Sequence, residues 1–306
     1  MNPSTGIVLK LLSVVVFTVM AALIKLTSDA APPGEQVFFR SFFAIPVILI
    51  WLVWRRELGT GLRTKRPINH FYRGFIGTTA MGLNFAALGL LPFPEVTALG
   101  YAAPLLTVIF AAMFLGEDVR AFRLIAVLTG LVGVVIVLLP RFDTTSEGLS
   151  TAQTLGAVLA LSGAACSALA QIFIRKLVME ERTSVIVFWF SVTSSLLALT
   201  TLPFGWTMPQ GWTLVLMIST GILGGIGQIL LTSSYRFAPA SVVAPFEYAS
   251  VILALGIGYV SFGEHPTVTM LIGSAIVIGA GIAIILRERQ LGIERTRQRK
   301  AMTPQG

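Results

Sequence analysis

Four ionisable residues lie well inside long apolar stretches of the sequence, where a charge needs a specific explanation: Lys25, Arg40, Glu95 and Glu247. On insertion scales, a charge at the centre of a transmembrane helix costs roughly 2.5–3.5 kcal/mol, so such residues usually form pairs or have a function. Glu247 lies about 10 Å into its stretch, and the nearby Pro245 loosens a helix. We predict that Glu247 binds a substrate or a coupling proton; the alternative is a structural ion pair with Lys25 or Arg40.

The other three charges have structural explanations beside the functional one. Lys25 lies near the end of its stretch, so its ammonium group can extend to the lipid headgroups. Arg40 can do the same, or can pair with Glu35 about one turn earlier. Glu95 begins a helix, whose N-terminus favours a carboxylate. Lys25 and Arg40 also stay candidates for ion pairing or coupling.

Uncharged polar and aromatic residues inside the apolar stretches are candidates for substrate binding. The amides and tyrosines concerned are Asn84, Gln171, Gln228, Tyr101, Tyr235 and Tyr248. Buried amides hydrogen-bond either a ligand or a neighbouring helix. Aromatic rings stack on a flat substrate or pack in a core. With Glu247, these six side chains form the predicted substrate site.

Several kinds of chemistry are disfavoured by the residues that the sequence lacks. The only histidines, His70 and His265, fall near opposite membrane faces, so we expect no paired-histidine metal site. No G-x-x-x-x-G-K-[ST] phosphate-binding loop occurs, and a serine nucleophile would have no histidine base at its depth. Cys166 has no partner for a disulfide. We therefore expect no catalysis, no cofactor and no metal.

The stretches that carry these residues are long enough to span a bilayer as helices. The chain has 306 residues, of which 55% are hydrophobic and 12% charged, about half the charged fraction of soluble domains. A helical span needs about 20 apolar residues. Ten stretches qualify: 7–27, 35–54, 70–91, 93–115, 120–139, 152–173, 184–204, 212–235, 240–262 and 266–286. The predicted fold is an all-α membrane protein with ten transmembrane helices.

The basic residues predict the orientation of these helices. With the N-terminus in the cytoplasm, eighteen lysines and arginines fall on the cytoplasmic side and only Arg141 on the other, as the positive-inside rule requires. The basic tail, residues 287–306, is expected to lie along anionic lipid headgroups. The net charge of +8 therefore indicates membrane topology rather than a nucleic-acid partner. Both termini are predicted to be cytoplasmic.

The two halves of the chain, residues 7–139 and 152–286, resemble each other. Each contains five predicted helices, an odd number, so the second copy must lie inverted in the membrane. Inverted repeats are typical of alternating-access transporters, which bind their substrate between the halves. A shift of 147 residues aligns Pro92 with Pro239, Tyr101 with Tyr248, and Gly116-Glu117 with Gly263-Glu264.

Short motifs follow one another in a characteristic order along both halves. They are Phe39-Arg40, Asn84-Phe85-Ala86-Ala87-Leu88, Ala102-Ala103-Pro104-Leu105, Pro245-Phe246-Glu247-Tyr248 and the Gly-Glu pair that closes the fourth helix of each half. Together they resemble the drug/metabolite transporter superfamily, in particular its EamA-type bacterial members. The resemblance implies a metabolite carrier in a bacterial inner membrane. It also implies a cavity surrounded by the first, third, fourth, sixth, eighth and ninth spans.

A neutral, flat heterocycle such as riboflavin is the expected substrate, because the candidate residues offer amides and rings but few charges. The main alternative is the export of amino acids or related zwitterions, with Lys25 or Arg40 binding a carboxylate and Glu247 an amine. A non-transporting scaffold or flippase partner is a third interpretation, which the inverted duplication disfavours. The expected partners are a small molecule and membrane lipids, and the sequence allows a homodimer.

Overall fold

The computed structural model describes residues 3–64, 66–115, 121–139, 151–178, 180–238 and 243–302. Gly116-Glu117, Arg141 and Pro239 lie outside the described residues, as does the side chain of Tyr235. The helices within the described ranges are α1 (Pro3–Leu26), α2 (Pro33–Phe42), α3 (Ala44–Trp54), α4 (Leu58–Gly61), α5 (Pro67–Leu90), α6 (Phe93–Gly100), α7 (Ala102–Leu115), α8 (Ala121–Leu138), α9 (Thr151–Val178), α10 (Thr183–Leu199), α11 (Gly211–Phe237), α12 (Ala249–Phe262) and α13 (Val268–Met302). Short 3-10 turns occur at Leu202–Phe204 and Ala244–Tyr248.

Within the described residues, six helical segments are long and apolar enough to cross a membrane: Ser4–Leu26, Pro33–Trp54, Phe93–Phe110, Thr151–Ile174, Gly211–Ser234 and Val268–Arg287. Three shorter helical segments are also apolar: Leu124–Leu138, Thr183–Leu199 and Phe246–Phe262. Large apolar side chains such as Ile50, Trp54 and Val260 point outward, where lipid tails would surround them. An all-α, multi-pass membrane protein is thereby confirmed, while the count of ten spans stays a prediction.

Two of the apolar segments are interrupted at a tyrosine. Helix α6 ends at Gly100 and α7 begins at Ala102, with Tyr101 in the turn between them. Pro104 explains this break, because proline has no N–H to donate and its ring clashes with the carbonyl four residues earlier, that of Gly100. In the second half, the 3-10 turn ends at Tyr248 and α12 begins at the next residue. Such breaks leave backbone carbonyls without their helical partners.

The long helices pack in pairs that join distant parts of the chain. Helix α1 packs along α11, α5 along α9, and α8 along α13. The contact between α8 and α13 is made by glycines, because a Cβ atom built on Gly273 would lie 2.6 Å from the carbonyl oxygen of Gly133. Small residues allow membrane helices to approach this closely and to gain packing energy in lipid.

We expect the substitution Gly273→Ala to destabilise the protein by about 1–3 kcal/mol, because the added methyl group would force the two backbones apart. The measurement is the melting temperature of the protein in detergent. Gly279→Ala on the same helix is the matched control, since a Cβ there meets nothing within 4 Å. A Gly273→Ala protein as stable as the wild type would contradict the close contact of α8 and α13.

Candidate functional site

A buried ion pair joins the first helix to the interrupted segment of the second half. Lys10 Nζ of α1 lies 3.1 Å from Glu247 Oε2, in the 3-10 turn before α12. The lysine side chain is 2% exposed and the glutamate side chain 47% exposed. An ammonium group in an apolar interior requires a counter-charge nearby. Glu247 provides that charge, and about half of its side chain stays exposed.

Two tyrosines complete this site, which we call the lysine–glutamate cluster (Lys10, Glu247, Tyr101, Tyr248 and Ser250). The Tyr101 hydroxyl donates to the backbone carbonyl of Glu247 over 3.1 Å and also hydrogen-bonds the Ser250 hydroxyl. The rings of Tyr101 and Tyr248 are 4.9 Å apart at an angle of 46°. Three predicted site residues, Glu247, Tyr101 and Tyr248, are therefore brought together.

Lys25 forms a second ion pair, which corrects two expectations from the sequence. Its Nζ lies 3.1 Å from Glu264 Oε1 and donates to the carbonyls of Leu88 and Leu91. It therefore neither extends freely to the headgroups nor pairs with Glu247. The other carboxylate oxygen of Glu264 accepts the backbone N–H of Phe93 over 2.8 Å.

The same ion pair explains the Gly-Glu motif of the second half. Gly263 ends α12 in the left-handed conformation, with a φ of 63°, which glycine adopts without steric cost. The chain then turns so that Glu264 faces Lys25. The motif thus combines a helix stop with the carboxylate that anchors the end of α1.

Arg40 follows neither structural alternative of the sequence analysis, since it does not pair with Glu35 and its buried side chain does not extend to the headgroups. The buried carboxylate of Glu35 accepts the backbone N–H groups of Thr207 and Met208, each over 3.0 Å. Arg40 is buried as well, and its Nε and Nη1 atoms have no hydrogen-bond partner. Two backbone donors from a distant part of the chain therefore satisfy Glu35. Neither Glu35 nor Glu247 pairs with Arg40 among the described contacts.

The predicted amides lie apart from the lysine–glutamate cluster. Asn84 donates to the carbonyl of Ala80 on its own helix over 2.8 Å and packs against Gly163 of α9. Gln171 of α9 and Gln228 of α11 are half-buried, and no described hydrogen bond joins either to Glu247. Their role in binding, like that of Tyr235, stays a prediction.

Lys10 and Arg73 are the residues that the sequence patterns missed. Both fall inside predicted spans, 7–27 and 70–91, but close to the ends that are predicted to be cytoplasmic. A basic residue in that position usually satisfies the positive-inside rule, so neither was assigned a role. Both are buried instead. Glu95 agrees better with expectation, since it lies in the first turn of α6.

An open groove of about 310 Å³ lies between α3 and α11, away from all of these residues. Its lining is apolar and includes Trp51, Trp54 and Ile229. Because Trp54 is among the most exposed side chains, this groove faces the lipid rather than the interior. The polar chemistry of the protein therefore lies in its ion pairs and arginines, not in this groove.

The model of the EamA-like transporter family matches this chain twice, over residues 4–139 and 154–287. The chain belongs to the EamA-like transporter family. The two matches correspond to the two halves that the sequence predicts. Membership places the protein among membrane transporters rather than enzymes.

Named relatives in this family span nearly the whole chain. A pseudopaline exporter from Pseudomonas aeruginosa is 29% identical over 283 residues, 92% of this chain and 95% of its own. An S-adenosylmethionine uptake transporter from Rickettsia felis is 27% identical over 286 residues, 94% of each chain. A riboflavin transporter from Rhizobium johnstonii is 29% identical over 261 residues, 85% of this chain and 83% of its own.

A solved crystal structure shares the fold. It covers 95% of this chain and 99% of its own with a TM-score of 0.66 and 22% sequence identity. The named relatives differ in substrate and in direction, so the family member described here is a transporter whose cargo must be inferred from its own residues.

We expect Glu247→Gln to destabilise the protein more than Lys10→Met does. The first change leaves the buried ammonium without the charge of Glu247, whereas the second leaves a half-exposed carboxylate. The decrease in the free energy of unfolding for Glu247→Gln should stay below the ~3–5 kcal/mol that breaking a fully buried pair costs. The double variant should recover part of it, because no opposing charge is left behind. Melting temperatures of the three variants check this; additive losses would contradict the ion pair.

Proposed function

We propose that this protein carries a small organic metabolite across a bacterial inner membrane by alternating access, as a secondary-active or facilitative transporter with both termini in the cytoplasm. The observation that carries the proposal is the Lys10–Glu247 pair. It joins a helix of the first half to the interrupted segment of the second half, where a transporter with inverted repeats binds its substrate. Glu247 is the proposed anchor for the cargo.

Three observations support two inverted repeats, residues 7–139 and 152–286, followed by the basic tail 287–306. The family model matches each half separately. The helix interruptions fall at Tyr101 and Tyr248, which the 147-residue shift aligns. The same shift carries α1 onto α9 and α5 onto α11, so the two main helix pairs, α1 with α11 and α9 with α5, correspond to each other.

The direction of the helices also agrees with ten spans. Lys10, near the start of α1, pairs just before the start of α12, and Lys25, near the end of α1, pairs just beyond the end of α12. Helices α1 and α12 therefore run in the same direction. The proposed topology requires this of its first and ninth spans.

The lysine–glutamate cluster suggests how binding is linked to movement. A cationic group of the cargo, or a proton, competes with Lys10 for the carboxylate of Glu247. When the cargo or the proton binds Glu247, the ion pair between α1 and the interrupted segment weakens, while the Lys25–Glu264 pair stays closed. A ligand shifts a conformational equilibrium only through such a difference in affinity between two states. In the lysine–glutamate cluster, this difference arises because the cargo binds Glu247 more tightly once Lys10 has moved away.

A zwitterionic metabolite fits the described residues best. The cluster offers one positive and one negative group in the interior, and further positive charge lies on Arg40 and Arg73. A neutral heterocycle such as riboflavin is the second candidate, favoured by the adjacent rings of Tyr101 and Tyr248 and by the riboflavin transporter among the relatives. A scaffold or flippase partner has no such support.

We expect Glu247→Ala to abolish transport, whichever cargo is carried. The first assay is growth of a riboflavin auxotroph without its own importer at low external riboflavin, and the second is efflux of labelled amino acids from cells. Glu180→Gln is the matched control, because Glu180 is also ion-paired and its side chain is 44% exposed. Riboflavin rescue selects the heterocycle, and amino-acid efflux selects the zwitterion. Undiminished transport by Glu247→Ala would overturn the proposed anchor.

If Glu247 accepts the coupling proton, Glu247→Gln should make transport insensitive to an imposed pH gradient, since the amide cannot take up a proton. The measurement is the initial transport rate with and without the gradient, at equal amounts of protein in the membrane. Unchanged sensitivity in this variant would exclude proton coupling through Glu247 and leave a facilitative carrier.

A further inference from the structure

Two buried arginines from different helices converge on one aromatic ring. The guanidinium carbon of Arg73, on α5, lies 3.9 Å from the centre of the Phe190 ring of α10. That of Arg40, on α2, lies 5.5 Å from the same ring centre. Arg40 is 4% exposed and Arg73 5% exposed. Two positive charges therefore lie near the same ring within the helical bundle, close enough to interact electrostatically.

These charges lack the partners that buried arginines usually have. The Nε and Nη1 atoms of both side chains have no hydrogen-bond partner, and no carboxylate among the described residues lies within ion-pair distance of either. Glu35, the nearest acidic residue along the chain to Arg40, is already bound by backbone N–H groups. Glu181 lies beside Thr64 and His70. The ring of Phe190 attracts the cations but does not neutralise them.

Glycines on the surrounding helices leave space for the two guanidinium groups, because they have no side chain. A Cβ atom on Gly77 of α5 would lie 2.2 Å from Nη1 of Arg73, and one on Gly224 of α11 would lie 2.9 Å from Nε of Arg40. The arginines thus lie against bare backbone, which fixes their positions. Four helices, α2, α5, α10 and α11, contribute to this arrangement, whereas the lysine–glutamate cluster belongs to α1, α12 and the segments beside them.

We propose that Arg40 and Arg73 form an oxyanion-binding site that holds an acidic group of the transported metabolite. Two guanidinium groups with unused N–H donors match the planar oxygens of a carboxylate and the oxygens of a phosphate. An anion held here would neutralise two buried charges at once, which explains why the bundle tolerates both of them. That the anion is part of the cargo depends on the proposed transport function; the binding itself does not.

The test is the melting temperature of the purified full-length protein when glutamate or inorganic phosphate replaces chloride at constant ionic strength. We expect a stabilisation that saturates with one of these anions. Arg40→Met and Arg73→Met should each raise the half-saturating concentration by about tenfold or more. In chloride alone, Arg73→Met should be at least as stable as the wild type, because it removes a buried charge without a counter-charge. A variant that is merely destabilised would instead melt at a lower temperature than the wild type in chloride.

Arg55→Met is the matched control. Arg55 also lies over an aromatic ring, 5.4 Å from the centre of Trp51, but its side chain is 45% exposed. It should keep the full response to the anion. Saturation by glutamate identifies the acidic group as a carboxylate, and saturation by phosphate identifies a phosphate. No saturation in the wild type, or equal responses in all variants, would overturn the site. Because no transport is measured, this outcome is independent of the uptake and efflux assays.

Discussion

The high free energy of a charge in an apolar interior determines how this bundle is arranged. Two lysines on α1 enter that interior, and each is matched by a carboxylate beside one end of α12. The pairs are about 22 Å apart along α1, so they fix the direction as well as the position of α12. The helix break at Tyr101, the turn before α12 and the glycine after it all serve to present these groups.

The chemistry of the interior is less symmetric than its architecture. The shift that relates the two halves places Ala157 at the position of Lys10 and Gly100 at that of Glu247. The duplicated tyrosines meet each other, but the charges of Lys10 and Glu247 occur in one copy only. A carrier needs similar halves to open toward either face of the membrane. The two halves therefore share their helix packing but not this ion pair.

Much of the fold followed from the sequence, because apolar length and the spacing of short motifs are local properties. The depth of Glu247, the special positions of Tyr101 and Tyr248, and the Gly-Glu stop were all visible in this way. The ion-pair partners of these residues were not visible in the sequence. Glu247 and Lys10 are 237 residues apart, and only the packing of α1 against α12 brings them together. Helical spacing offers Glu35 as one partner for Arg40, but the backbone N–H groups of Thr207 and Met208 bind that carboxylate instead.

The two ends of α1 are held by different contacts. Near Leu26 it is anchored through Lys25, whose ammonium group holds one carboxylate and two carbonyls. Toward Pro3 it is tied to Glu247 through Lys10, and Gly6 packs against Ala238 at the end of α11. If the Lys10–Glu247 pair opened while the Lys25–Glu264 pair stayed closed, α1 would be released from the turn before α12 at one end only. A movement of α1 that starts at its Pro3 end is the one that these two ion pairs would allow.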